Sequence, residues 1–363
     1  MNILITGSNG FIGKNLYVTL RETNHKVMTY DKDDNNLYEL LDNADFIYHL
    51  AGVNRPIDKS EFYSGNSDLT KNICDYLVSK SKNTPILITS SIQATNETDY
   101  GISKRYAEEV VNDYRNKTRA NIYIYRLSNV FGKWCRPNYN SVVATFCNNI
   151  ANDLDITIND RNYVLPLIYI DDIVAEFITC LSSEKKDINY IDTVYEVSLG
   201  YIADTLFAFK ESRSNFEAIK VNDPFIKKLY STYLTYLPID KFSYLLKMNV
   251  DNRGSFTEIL KNENGGQVSV NVAKPSIVKG NHWHHTKTEK FLVVSGSGLI
   301  KFRNIFSDNV IEYYVSSTKL EVVDIPPGYT HSIENIGEND LVTIMWANEL
   351  LDNENPDTYY LNV

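Results

Sequence analysis

The chain opens on LITGSNGFIG, which sets Gly7, Gly10 and Gly13 between a run of apolar β-formers and the start of a helical pattern. No other ten residues constrain the fold as strongly. Glycine adopts positive φ and lets a backbone approach a bound group closely, and a helix N-terminus presents unpaired N–H groups to an anion. Glycines at this spacing, after a strand and before a helix, mark a dinucleotide pyrophosphate site. They commit the first part of the chain to a parallel sheet whose strands alternate with helices.

The pattern downstream agrees. Strand-like runs recur at 2–6, 26–30, 46–50, 85–89 and 121–126. Between them lie helical segments such as 68–79, where Leu69, Ile73 and Leu77 share one face. After about residue 203 the texture changes. TLFAFKESRSNFEAIK and PFIKKLYSTYLTYL read as helices that cap the first domain. From about residue 242 the runs GQVSVNV, KFLVVSGSGLIKF, VIEYYVSS and LVTIMWA, separated by turn residues, read as a sandwich or barrel. The expected architecture is a Rossmann-type doubly wound α/β domain with a helical cap over 1–241, then an all-β domain over 242–363. A length of 363 residues is enough for two cores.

Composition excludes some functions. A net charge of −10 argues against nucleic acid or an anionic membrane as partner. No apolar run approaches the ~20 residues of a membrane span. The four cysteines have no C-x-x-C spacing and read as reduced thiols. The N-terminus enters a strand at once, with no basic leader, so a cytoplasmic location is expected.

Two further stretches carry chemistry in the first domain. Asp31 ends the second strand, where a carboxylate accepts from the adenosine ribose and selects NAD; Lys32 beside it pairs with a 2′-phosphate and selects NADP. The two signals oppose each other. In TSSIQATNETDYGISK, Tyr100 and Lys104 lie four apart on one helical face. An ammonium near a phenol eases its deprotonation, which suits an acid that exchanges a proton near neutral pH. Ser90 and Ser91 both end the preceding strand, and either can orient a carbonyl oxygen.

TGSNGFIG, YHLAGV, TSSIQA, YGISK, RLSNVFG and IYIDDIV together resemble the extended short-chain dehydrogenase/reductases over residues 1 to about 240. The resemblance implies that Tyr100 is the proton donor, that Lys104 lowers its pKa and binds the nicotinamide ribose, and that Ser91 holds the carbonyl. It implies cofactor contacts from Gly7, Gly10, Phe11, Ile12, Gly13, Asp31, Lys32, Ala51, Tyr100 and Lys104, and a sugar-nucleotide contact from Asn129. The stretch between Ser91 and Tyr100 is short for the family. Ile92 and Gln93 stand where the sugar dehydratases of the family carry an Asp-Glu pair, which disfavours dehydration.

In the second domain, GNHWHHTKTEKFLVVSG and PPGYTHSIEN resemble the two motifs of the cupins. His282, His284, Glu289 and His331 match the metal-ligand positions, and Asn335 completes the second motif. Residues two apart on a strand share a face, so His282 and His284 point inward together, while Trp283 and His285 point away. Three imidazoles and a carboxylate suit Zn²⁺ or another divalent metal. DNRGSFTEI, with Asp251, Arg253, Gly254 and Phe256, is similar to the opening of the deoxysugar 3,5-epimerases. That resemblance implies His282 as catalytic base and Lys290 near the developing enolate, with Tyr329 as a candidate acid. An imidazole nitrogen bound to a metal cannot also accept a proton, so the two assignments of His282 conflict.

HLAGVNRP, SSIQAT, FGKWCRPNYNSV, GNHWHHTK and YTHSIEN resemble two-domain capsular polysaccharide enzymes that make UDP-2-acetamido-2,6-dideoxy-L-talose. This implies a UDP-linked 4-keto-6-deoxy-hexosamine substrate, epimerised at C3 by the cupin and then reduced at C4 by the first domain with NADPH, NADH being the alternative. It also implies a homodimer or homotetramer. A reductase with a structural metal-bound cupin is the competing reading.

Overall fold

The structure is a computed structural model that describes residues 1–56, 58–182, 188–262, 264–350, 352 and 354–363. The chain forms two compact units, Met1–Phe209 with Lys220–Ile239, and Lys210–Ile219 with Asp240–Val363.

The first unit is built on a parallel sheet of β1 (Asn2–Thr6), β2 (Lys26–Tyr30), β3 (Phe46–His49), β4 (Ile86–Ser91) and β5 (Ile122–Leu127), in the order β2-β1-β3-β4-β5, with Ile188–Asn189 at the far edge. All four residues of β3 are buried, as expected of a strand covered on both faces. Helix Leu69–Ser79 lays Ile73, Cys74 and Leu77 on the sheet, against Ile47 and Ile86. The chain winds from β1 to β2 on one side and returns to β3 on the other. The ends of β1 and β3 therefore form the crevice in which such sheets bind ligands.

The helix expected over 205–220 is Leu199–Asn215. Phe216 turns to φ 62°, and the next residues leave the helix. Ala218 N–H donates to Lys261 O and Lys261 N–H to Phe216 O, both at 2.7 Å, a contact within the second unit that joins 216–218 to strand Gly254–Asn262. The other expected helix is Pro224–Leu234, capped by Asp223 through the N–H groups of Phe225 and Ile226.

The second unit consists of two antiparallel sheets of six and five strands. Alternation along Gly266–Ala273 and Tyr329–Asn335 turns Ala273 and Ile333 into a core shared with Phe291, Ile300, Phe302 and Leu341. This is the double-sheet closure of a cupin barrel.

Candidate active site and metal centre

In the first unit the glycine loop closes against the end of β3. Gly7 has φ +73°, and a Cβ there would lie 2.6 Å from Ala51 N; one on Gly13 would lie 2.2 Å from Gly7 O. Any side chain at either position would force the loop apart. Gly10 caps helix α1 (Phe11–Arg21) with no side-chain hydrogen bond, which leaves its first N–H groups to a ligand. Asp31 braces the loop from β2: Ser8 Oγ donates to it at 2.5 Å and Asn9 N–H at 3.1 Å. Lys32 is exposed.

Phe11, Ile12, Ser91, Tyr100, Lys104 and Asn129 line one cleft of about 630 Å³ with these glycines. Ser91 lies close enough to Tyr100 for its hydroxyl to act on the phenol, and its Oγ also accepts from Gln93 N–H at 3.1 Å. Ser90, one position earlier, also borders the cleft, but its hydroxyl donates to the buried Glu108 carboxylate at 2.5 Å. Lys104 is buried, donates to Thr89 O at 3.1 Å, and lies 5.9 Å from the centre of the Tyr100 ring. Burial pushes the Lys104 ammonium down to about 8, opposed by Glu108 one turn on. Burial also pushes the Tyr100 phenol up, with the Ser91 hydroxyl opposing. Desolvation of the phenol outweighs that opposing contact. Asn129 is exposed on the cleft wall and donates to Pro166 O at 3.3 Å.

In the second unit the side chains of His282, His284, Glu289 and His331 converge, with ligand atoms all within 4.8 Å of one another. His284, Glu289 and His331 are buried. Glu289 Oε2 lies 3.3 Å from His331 Nε2 and 3.6 Å from His284 Nε2, yet none of these three atoms has a hydrogen-bond partner. Buried polar atoms left unpaired around a common point are what a cation would satisfy. Three nitrogens and a carboxylate oxygen, without thiolate, fit Zn²⁺ or a similar divalent ion. Burial, with His331 and His284 nearby, pushes the His282 imidazole down to about 4, so it is neutral at pH 7, as a ligand must be. His284 Nδ1 faces the backbone oxygen of Asp357, which turns its Nε2 toward the cluster.

Strand alternation explains the orientations. Trp283 and His285 do point away, packing their rings against Tyr359, tilted and edge-on, with centroids 5.1 and 4.9 Å apart. Lys290 is a correction. It follows the inward Glu289 directly, so it points out of the barrel, where it pairs with Asp324 on the neighbouring strand. It does not line the cavity, and a role at an enolate is not open to it. Tyr329 packs on the barrel core and also stays outside the residues lining the cavity. Asn335 fastens the turn after its strand, donating to Ala273 O and Asn339 O at 2.8 Å.

Comparison with known proteins agrees with this geometry. Residues 3–192 match the NAD dependent epimerase/dehydratase family, and residues 249–359 match the polysaccharide biosynthesis C-terminal domain. The chain is 44% identical, over 100% of its length and 99% of the relative's, to UDP-2-acetamido-2,6-beta-L-arabino-hexul-4-ose reductase of Pseudomonas aeruginosa. The chain belongs to the NAD dependent epimerase/dehydratase family. The crystal structure of the capsular polysaccharide assembling protein CapF from Staphylococcus aureus superposes with a TM-score of 0.95 at 52% identity, covering 100% of both chains. UDP-glucuronic acid 4-epimerase from Bacillus cereus, solved in complex with NAD, is 19% identical, covers 65% of this chain and 96% of its own, and shares the fold at a TM-score of 0.55.

Two residues of this family member that shape the two sites carry no sequence signal. Asn66 is buried, accepts from Val53 N–H at 2.9 Å and donates to Ser103 Oγ at 3.1 Å, which fixes the cleft wall beside Lys104. The Asp357 carboxylate accepts from the N–H groups of His285, Thr286 and Lys287 and shapes the turn between His284 and Glu289. It lies 70 or more residues along the chain from each of these partners.

Proposed function

We propose that this protein is a bifunctional nucleotide-sugar enzyme of capsular polysaccharide synthesis. In this reading the second unit epimerises C3 of a UDP-2-acetamido-2,6-dideoxy-4-hexulose. The first unit then reduces the C4 ketone, giving UDP-2-acetamido-2,6-dideoxy-L-talose. The observation that carries it is the meeting of Ser91, Tyr100 and the buried Lys104 in one cleft with the glycine loop. The full-length similarity to a hexul-4-ose reductase supports the substrate class.

For the reduction, Ser91 and Tyr100 hold the C4 oxygen between them, and Tyr100 gives it the proton. Its raised pKa keeps that proton in place until the oxygen becomes basic. Lys104 keeps a positive charge beside the phenol and holds the nicotinamide ribose. The bound nicotinamide, NADPH or NADH, supplies the hydride. Asn129 contacts the sugar nucleotide from the cleft wall.

For the epimerisation, the C4 ketone makes the C3–H acidic, so this step precedes reduction, which removes the ketone. His282, His284, Glu289 and His331 would hold a divalent cation, whose chemistry there is Lewis acidity toward oxygen. The second reading, a single-activity 4-keto-sugar reductase with a structural metal barrel, is favoured by one observation: Lys290 faces away from the cavity.

The deciding experiment is deuterium uptake at C3 of the 4-keto sugar in D₂O, with enzyme but no cofactor, before and after chelation. Uptake supports the bifunctional reading; no uptake with the metal-loaded enzyme leaves only the reductase. Turnover of NADPH with the C3-epimerised ketone tests the first unit independently.

A further inference from the structure

With Lys290 on the outer surface, the barrel needs another group at the ketone oxygen. The cavity above the four candidate ligands has a volume of about 720 Å³ and is lined by Asn271 and Lys279 together with His282 and Glu289. Lys279 Nζ donates to Asn271 Oδ1 and Val272 O, both at 2.8 Å, and to Ser255 O at 3.3 Å. An ammonium only donates, so it fixes the orientation of the Asn271 amide: oxygen toward Lys279, NH₂ away from it. Asn271 is 3% exposed, and its Nδ2 has no hydrogen-bond partner. Thr343, fully buried and directly opposite in the ladder, has an unpaired Oγ1. Residues paired across strands share a face, so the two side chains stand side by side, with Asn271 among the residues that line the cavity. A cation in the cluster would account for the unpaired atoms of the ligands. It would not account for the Asn271 NH₂, which is a donor.

We propose that Asn271, oriented by Lys279, donates a hydrogen bond to the C4 oxygen of the sugar as the C3 proton leaves. In that step the C3–H bond breaks and its proton passes to a base in the cavity. The bonding pair becomes the C3–C4 π bond, and the C4–O π pair moves onto oxygen. Reprotonation at C3 from the other face reverses the flow, and Asn271 keeps its own protons throughout. The ammonium behind Oδ1 polarises the amide and strengthens the N–H donors on its far side. A preoriented donor in a buried wall stabilises charge as it develops, without reorganising. Asn271 is thus a catalytic residue and Lys279 a positioning residue, and both assignments rest on the proposed C3 epimerisation.

The test is C3 deuterium uptake by the 4-keto sugar nucleotide in D₂O with the metal-loaded full chain. Asn271→Asp keeps the shape and the contact to Lys279 but turns the donor into an acceptor. Exchange should fall by roughly 10²–10³-fold, with KM changed far less, because the interaction is made in the transition state. Reduction by the same preparation reports that the chain is folded. Lys279→Gln keeps a donor to Oδ1 and removes the charge, and should slow exchange about tenfold. Exchange by Asn271→Asp within about threefold of the native rate overturns the assignment while leaving epimerisation standing. If Asn271→Asp fails to fold, native exchange in Lys279→Gln overturns it instead. A native enzyme that exchanges no C3 proton defeats epimerisation itself, and this assignment with it, without recourse to any variant.

Discussion

Ser90 Oγ donates to the Glu108 carboxylate, although Ser90 and Ser91 are adjacent and chemically identical. The Glu108 contact engages the Ser90 hydroxyl and leaves the Ser91 hydroxyl to a substrate oxygen. Ser91→Ala should therefore lower reduction by roughly 10²-fold, as loss of one donor to a reacting oxygen does. Ser90→Ala should instead cost about 1–3 kcal/mol of stability through its buried partner. Steady-state kinetics and denaturant unfolding on both variants check the split; the reverse pattern would exchange the two roles.

Glu108 is itself a structural hub. Arg126 donates to it from Nε at 2.9 Å and Nη2 at 2.7 Å, and both side chains are largely buried. Glu108→Gln leaves the guanidinium without its counter-charge, and a loss of about 3–5 kcal/mol is expected. Urea unfolding measures it, and a change below about 1 kcal/mol would mean that solvent reaches the pair.

Tyr100→Phe should abolish reduction and leave C3 deuterium exchange at the native rate. His282→Ala should do the reverse. The measurements are cofactor oxidation and NMR exchange on the same preparations. Loss of both activities in either variant would point to one shared site.

The pH dependence follows from Lys104. Its ammonium, pushed down to about 8 by burial, is charged below that pH and neutral above it. His49, which also faces it, is pushed down to about 3 by burial and stays neutral. Reduction needs the charged lysine, so kcat/KM should fall as pH rises through about 8. A pH–rate profile reads the limb directly; a flat profile up to about pH 10, the range of an ordinary lysine, would contradict the burial effect.

Chelation should act on the second unit. Stripping the cation returns His284 Nε2, Glu289 Oε2 and His331 Nε2 to an unpaired buried state. At a metal concentration of 10²–10³ times Kd, the bound ion contributes about 3–4 kcal/mol. Calorimetry should show a lower Tm for the barrel and elemental analysis one divalent ion per chain, while cofactor oxidation with an epimerised ketone persists.

Much of this was legible in the sequence because it rests on local periodicity. Tyr100 and Lys104 meet because an α-helix brings i and i+4 together. His282 and His284 face inward because a strand alternates. The same rule places Lys290, next to the inward Glu289, outside the barrel, so period-two spacing alone contradicts the resemblance that puts it at the enolate. The end of the helix at Asn215 was not legible, since Phe216 departs to pair with Lys261, a partner 45 residues on. Asn271 and Lys279 look like ordinary strand residues until the ladder with Thr343 exposes an unpaired amide.

The sequence by itself determined the glycine loop, the two kinds of domain, the tyrosine–lysine pair and the four candidate ligands, because each is a short-range pattern of residue type and spacing. Only the tertiary structure showed that Glu108 engages the Ser90 hydroxyl and brought Asn271 to the cavity wall. Those choices depend on which distant group satisfies a buried polar atom, and such a partner is chosen by strand register and packing, which no short stretch of sequence contains.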